Sequence, residues 1–504
     1  MDLISKDQAQ KLDSLTINSG HASSIELMNN AGIKISEFIQ KKYSDKKIVI
    51  ISGKGNNGGD GLAAALSLKK SGLKPLVLSI FQKKDLSFDS LYFYEECKKI
   101  DIEISHPIEP FELDRSDIVI VDCILGIGFK GELRKNIQIW TEWINGFKFI
   151  ISADIPTGVQ ADNGKVSKNA INASCTISMG MPKLGSVIEP GRSFSGAIIE
   201  VDIGFSNAMK IEGINWELLG HSKIRALLPK IDPSTHKYKQ GKVLVLAGSR
   251  GMTGAAYLCS IASLRVGAGL VMSCAPKSLN DIYEKKITEA MTLPCDDKGK
   301  GYFILSNYDQ IFDYSNQCDS VLIGPGIGYN KSTLDLVEKL IATITKPILI
   351  DADGLKPFYN NIFLFSKIKS DFAITPHMGE LSNLIDASTE DIINNFPNSI
   401  DVFMENLNGT LVAKYPSTFI LKDNNGYINC SGNAGLATAG SGDVLSGMIA
   451  GLMAQGCSSL HASLIGVFIH GSIADVISKT MSKRGIIASD LLNHIPKELK
   501  EYEL

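Results

Sequence analysis

The 504-residue chain contains no Cys-x-x-Cys pair. Its cysteines, Cys97, Cys123, Cys175, Cys259, Cys274, Cys295, Cys318, Cys430 and Cys457, are odd in number and widely scattered, which excludes a zinc ribbon and a disulfide framework. They read as reduced thiols. Charge of one sign is also missing: 51 basic residues face 54 acidic ones, and a net of −3 gives no footprint for nucleic acid or an anionic membrane. No uninterrupted apolar run approaches the roughly 18 residues of a membrane span. The richest stretch, Val444 to Ile477, is broken by Gln455, His461, His470 and Asp475 and predicts a buried helix pair. The start, MDLISKDQAQKLDS, lacks a basic region followed by an apolar one, so no secretory signal is expected. These absences point to a cytoplasmic enzyme of small-molecule chemistry, with neither nucleic acid nor membrane as a partner.

What the chain has is length, apolar residues and glycine. It is about three times the roughly 150 residues of a usual domain, so two or more domains are expected. Apolar residues make up 44% and glycine takes 46 positions, enough for sizeable cores. Short β-branched runs alternate with helical stretches, the pattern of a parallel sheet with crossover helices. In the first half the predicted strands are 47–52, 75–80, 117–122, 147–154, 173–178 and 197–202, after helices over 8–15 and 23–42. In the second half they are 241–247, 271–275, 320–324, 347–351, 372–375, 409–413 and 418–421. The rhythm lapses over Ser206–Gly220, which places the boundary there and predicts α/β domains over 1–212 and 220–504.

In open α/β sheets ligands bind at the carboxyl ends of strands, so the strand-end turns carry the functional signal. In the first half, GKGNNGGDG follows the strand ending at Ser52 and precedes a helix predicted over Leu62–Lys70. Five glycines let backbone amides approach a ligand, and a helix start favours an anion. A flexible turn is the plainer alternative. The segment is neither a Walker A loop nor GxGxxG. Two more strand ends carry carboxylates, Asp122 in VDCILGIG and Asp154 in SADIPTG. On parallel strands both would share an edge with Asn56–Asp60, offering oxygen ligands for a hard cation and an acid–base group. Asp154 as a helix cap is the other reading.

GKGNNGGDG, VDCILGIGFKGELR, SADIPTGV and MPKLG resemble the epimerase domain of the bifunctional NAD(P)H-hydrate repair enzymes, over most of residues 1–210. The resemblance implies a Rossmann-like three-layer αβα domain that interconverts the R and S epimers of hydrated NADH and NADPH, with a bound potassium ion. By residue it implies substrate contacts from Asn56, Asn57, Gly58, Gly59 and Asp60, and from Gly126, Ile127, Gly128, Phe129, Lys130, Gly131 and Glu132. Asp154 is implied as substrate contact and acid–base catalyst. Asn57, Asp122 and Thr157 are implied as potassium ligands. Lys183 is a candidate for charge stabilisation or a solvated surface lysine. Ile127 stands where the family usually has threonine.

In the second half, NAGLATAGSGDVLSG precedes an apolar helix predicted over Met448–Gln455. Gly440-Ser441-Gly442 would present free amides to a transferring phosphoryl group, with Asp443 as general base. A small-residue helix start with an acidic first turn is the plainer reading. VLIGPGIG, AITPHMGE and GKVLVLAGSRGMTGA are strand-and-turn segments of the same kind. Together they are similar to the second domain of the same repair enzymes, a ribokinase-like fold, over roughly residues 221–500. That similarity implies dehydration of S-NAD(P)HX with ADP or ATP as phosphoryl donor and Mg2+ as a candidate companion of the nucleotide. It implies hydrate contacts from Ala255, Gly326, His377 and Asp443, and nucleotide contacts from Lys414, Asn433, Ala439, Gly440, Ser441 and Gly442. Tyr238, Ala434 and Tyr415 depart from the family pattern, as do Ala439 and Ser441. A homo-oligomer is expected. The rival functions are a ribokinase-like kinase of vitamin precursors and a non-enzymatic interaction module built on the epimerase fold.

Overall fold

The computed structural model describes residues 1–205, 215–359 and 361–503. Most of the boundary segment predicted from sequence, 206–214, lies outside the described residues. The chain divides into two compact units, Met1–Trp216 and Glu217–Leu504.

The first unit carries strands β1 (Lys47–Ser52), β2 (Leu76–Ser79), β3 (Glu103–Ser105), β4 (Ile118–Cys123), β5 (Phe149–Ala153), β6 (Cys175–Met179) and β7 (Ala197–Val201). They form one parallel sheet in the order β3-β2-β1-β4-β5-β6-β7. The direction of winding reverses between β1 and β4, the switch point where ligands bind in such sheets. Strand residues alternate between two cores: Ile48, Ile50, Val119 and Val121 pack in one, Val49, Ile51, Ile118 and Ile120 in the other. Helices α1 (Lys6–Asn18), α2 (Ser24–Tyr43), α3 (Asn56–Lys70) and α4 (Lys135–Ile144) surround the sheet. α2 and α3 pack in the first core and α4 in the second, which makes the unit a three-layer αβα domain. Strand β3, with three residues at the sheet edge, carries too short a pattern to be predicted.

α3 starts at Asn56, six residues before the predicted helix, so NNGGDG is the first part of a helix rather than a loop. Glycine's poor helix propensity hides it in the sequence. Tertiary packing explains it: a Cβ on Gly58 would lie 2.1 Å from the Gly53 carbonyl oxygen, and one on Gly61 would lie 2.8 Å from Cys123 Cβ. Glycine lets this helix start sit directly on the strand ends.

The second unit carries β8 (Lys242–Leu246), β9 (Leu270–Pro276), β10 (Met291–Cys295), β11 (Ser320–Ile323), β12 (Ile348–Ile350), β13 (Phe372–Ile374), β14 (Thr410–Ala413), β15 (Thr418–Lys422) and β16 (Asn425–Asn429). These run in the order β10-β9-β8-β11-β12-β13-β14-β15-β16, parallel as far as β14 and antiparallel beyond it. Strands β10 and β16 were not predicted. β10 is half-exposed and holds Pro294, and β16 is opened by Asn and Gly. Helices α5 (Thr253–Arg265), α6 (Met378–Ile385), α7 (Ser441–Ala454), α8 (Ser459–Ile477) and α9 (Ala488–Leu499) follow in chain order. α7 and α8 are the predicted buried pair, although α7 begins seven residues earlier than the sequence suggested. α8 is long and apolar enough to cross a membrane, yet most of it is buried in the core it shares with α5, α7 and α9.

Candidate active sites

In the first unit a cavity of about 480 Å³ opens at the carboxyl end of the sheet. Asn56, Asn57 and Asp60 enter it from α3, Gly126–Gly128 from the turn after β4, and Asp154 from the end of β5. Helix α3 has no side-chain cap at Gly55, so its first amides are open to an anion. Gly58 and Gly59 do not line the cavity. Both are buried, with Gly59 against Met28 and Ser90. Nor do Phe129, Lys130, Gly131 and Glu132 reach it. Glu132 accepts hydrogen bonds from Ser167 Oγ at 2.6 Å and Lys168 N at 3.1 Å, and so braces a neighbouring loop. Ile127 replaces a hydroxyl with an apolar wall and packs against the cluster of Ile4, Ala9 and Leu12.

Asp154 is not a helix cap: no helix follows it before Leu184. Its backbone is left-handed, φ 65°, a conformation uncommon outside glycine. Its Oδ1 accepts from Met179 N at 3.0 Å and pairs with Lys183 Nζ. The surface reading of Lys183 fails, because the side chain is only 3% exposed and also donates to the Met179 carbonyl at 3.0 Å. Three more carboxyls, those of Asp13, Asp60 and Asp89, share the cavity. Burial, then the charges of Asp154 and Asp13, pushes Asp60 well above its usual range. Burial, then Asp154, pushes Asp13 up to about 6 against the pull of Lys183.

Beneath this cavity Asp122 is fully buried at the end of β4. Its Oδ1 accepts from Thr157 Oγ1 at 2.7 Å, and its Oδ2 from Thr157 N and Ser152 Oγ, each at 2.9 Å. Burial still raises its carboxyl, because no basic side chain offsets the lost solvation. Asn57 donates to the Leu125 carbonyl at 2.9 Å, while its buried Oδ1 has no partner among the described residues. Asn57 and Thr157 thus both meet Leu125, and Thr157 also bonds Asp122, while the Asn57 Oδ1 is left as an orphaned acceptor.

In the second unit Gly440 caps α7 in a left-handed conformation, φ 86°, without any side-chain cap. Asp443 follows in the first turn. Burial, then Asp351, raises its carboxyl to about 6 while Lys414 pulls it down. Asp351, which the sequence reading did not single out, accepts from Lys414 Nζ at 2.9 Å and Ser446 Oγ at 2.7 Å. Lys414, with Glu380 and Asp443 also acting on it, is held protonated. A Cβ on Gly442 would lie 3.5 Å from Lys414 Nζ, which places the ammonium beside the glycine-rich turn that opens α7.

Ala255 and Gly326 are brought together: a Cβ on Gly326 (φ 63°) would lie 3.0 Å from Ala255 Cβ. His377 turns out to be a cap as well as a site candidate. Its Nδ1 accepts from Gly379 N at 3.0 Å and Glu380 N at 3.2 Å, while its Nε2 edge faces Glu380 at 3.5 Å. Asn433 donates to Asp475 at 2.8 Å, and Asp475 also accepts from Gly432 N at 2.8 Å. His470 contacts Ser441 Oγ at 3.3 Å and its carbonyl at 3.0 Å, and burial drops its imidazole to about 4, so it stays neutral. His470 and Asp475, two of the polar interruptions of α8, therefore brace the start of α7 and the glycine-rich loop. Tyr415 stacks on Phe419, centroids 6.4 Å apart, and Ala439 is exposed. Tyr238 is 70% exposed.

Residues 243–497 match the family described as NAD(P)H-hydrate dehydratase, and residues 24–185 match that of the YjeF-related protein N-terminus. The bifunctional NAD(P)H-hydrate repair enzyme Nnr of Moorella thermoacetica is 32% identical over 100% of this chain and 97% of its own. That of Dictyoglomus turgidum is 33% identical, over 99% of each chain. A ribokinase-like superfamily protein of Enterococcus faecalis, at a TM-score of 0.50 and 22% identity over 59% of this chain and 99% of its own, shares the fold. Full-length relatives and matches in both units make the chain a member of the bifunctional NAD(P)H-hydrate repair enzymes, an NAD(P)HX epimerase followed by a ribokinase-like NAD(P)HX dehydratase.

Proposed function

We propose that Asp443 is the general base and Asp154 an acid–base group of a two-step repair of hydrated NADH and NADPH, with ADP, or ATP, as phosphoryl donor. The carrying observation is Asp443 itself, raised to about 6 at an uncapped, glycine-opened helix start beside Lys414. Water added across the nicotinamide C5–C6 bond leaves a C6 hydroxyl, a poor leaving group. Asp443 takes the proton of the C6 hydroxyl as the hydroxyl oxygen attacks the terminal phosphoryl group, and the P–O bond to the rest of the nucleotide breaks to release AMP from ADP, or ADP from ATP. Amides of Gly440, Ser441 and Gly442 and the Lys414 ammonium hold the charge that develops. Phosphate leaves C6 with the C–O pair, pushed by the ring nitrogen to an N1=C6 iminium, and loss of the C5 proton to solvent then returns the pair to N1 and restores the C5–C6 double bond. Asn433 and Ala439 belong to the nucleotide side of this site, and Ala255, Gly326 and His377 to the hydrate side. The first unit supplies the S epimer from the R epimer.

Potassium suits Asn57, Asp122 and Thr157, since a hard monovalent cation would satisfy the orphaned Asn57 oxygen and offset the buried Asp122 charge. Bound there, it would fix the turn after β4 electrostatically. Mg2+ is assigned to the nucleotide phosphates, whose oxygens suit a hard cation. Homo-oligomerisation belongs to the same reading and is measured by sedimentation.

The test is recovery of NADH from S-NADHX and ADP across pH. A base must be ionised, so kcat/KM should be level above pH 6 and fall about tenfold per unit below it, with a midpoint near the Asp443 value of about 6. A profile flat to pH 5 would remove Asp443 as the base.

A further inference from the structure

We infer that Asp13, on the N-terminal helix α1, is a second acid–base catalyst of the epimerase site, protonating the departing C6 oxygen while Asp154 takes a proton from water arriving on the opposite face of the ring. The inference rests on the epimerase reading of the first unit and adds to it a residue and a chemical route.

The placement comes first. Ala9, Leu12 and Asp13 form a wall of the 480 Å³ cavity, and Asp154 and Lys183 line it from other elements. α1 is firmly set. Ile4 N donates to the Pro182 carbonyl at 2.9 Å, Leu184 N donates to the Ile4 carbonyl at 3.1 Å, and Lys6 N donates to Asp162 Oδ1 at 2.7 Å. These bonds flank Lys183, so the helix bearing Asp13 is tied to the segment that carries the partner of Asp154. Ser5 and Gln8 close a capping box at the helix start. Asp13 is half-buried on the helix face that also buries Ala9, Leu12 and Thr16, and no described residue donates a hydrogen bond to its carboxyl. A carboxyl in that position costs desolvation and gives the fold no compensating bond.

The chemistry asks for two groups. The hydrated ring carries hydroxyl and nitrogen on C6, so inversion can proceed by breaking the C6–O bond on one face and forming it on the other. In the first step the Asp13 proton goes to the leaving oxygen, which takes the C–O pair and departs as water, while the N1 lone pair forms an N1=C6 iminium. In the second, water adds to C6 on the other face, the π pair returns to N1, and the released proton goes to the Asp154 carboxylate. Net, one proton passes from Asp13 to Asp154, and exchange with solvent resets both. The surroundings suit these roles: Lys183 pairs with Asp154, while burial and the Asp154 charge favour a proton on Asp13. Asp60 also faces Asp13, and Lys54 and Asp89 line the same cavity. Burial pushes Asp60 well above its usual range, which favours its protonated, hydrogen-bond-donating form.

The test follows R-NADHX with the full-length chain in 18O-labelled water without nucleotide. Wild type should convert R to S and take up one solvent oxygen at C6 per inversion. Asp13→Asn, close in shape, should slow both by about 10²-fold or more while KM and melting temperature hold, and Asp13→Glu should regain part of the rate. Unchanged exchange in Asp13→Asn, or a loss confined to KM, would overturn the assignment. Inversion by wild type without label would overturn the route through C–O cleavage. No exchange by wild type above the spontaneous rate would remove the epimerase reading and this proposal with it.

Discussion

Asp443→Asn is expected to leave neither epimer of the hydrate repaired, with recovery of NADH lower by about 10²–10⁴-fold, the usual contribution of a positioned general base. Both epimers are lost because the S form, whether supplied or made from R, must pass through the one dehydration site. The amide cannot take the hydroxyl proton, yet Gly440, Ser441 and Gly442 keep their backbone amides. Nucleotide affinity measured by calorimetry should therefore hold. Stability should hold as well, because the substitution removes a half-buried carboxyl that is repelled by Asp351. A variant that is inactive but melts early, or no longer binds ADP, would show a structural role instead.

Asp154→Asn should produce the opposite pattern. The S epimer remains repaired at the wild-type rate, and the R epimer is repaired only as fast as it epimerises spontaneously. The variant also strands the buried Lys183 ammonium, and breaking a buried pair costs about 3–5 kcal/mol. S-epimer turnover by the second unit is thus an internal control for loss of folding. Adding Lys183→Met should restore much of the stability and none of the exchange. Equal loss on both epimers would contradict the division of labour between the units.

The sequence made the sheets legible because their strands are continuous β-branched runs ended by glycine turns, as at Lys47–Ser52, which is both the predicted and the observed β1. It misjudged the starts of α3 and α7 because glycine reads as loop, while here its missing side chain is what allows close packing. Asp154, Asp122 and Asp443 were legible from their places at strand and helix ends. Asp351 was not, although it ends a predicted strand in the run DADG; only the fold brings it to Lys414 and Ser446. Asp13 gave less signal still, since an aspartate in an amphipathic helix reads as a solvated face. His470 and Asp475 registered only as breaks in an apolar run, and their contacts with Ser441 and Asn433 give those breaks a purpose.

In the proposed mechanism one chain carries two separate sites joined by a released intermediate. Mixing equal amounts of the Asp154→Asn and Asp443→Asn chains with R-NADHX and ADP tests it most directly. Two preparations, each unable to repair R rapidly, should together recover NADH rapidly, because one makes the S epimer and the other dehydrates it. A mixture no faster than the Asp154→Asn chain alone would contradict it.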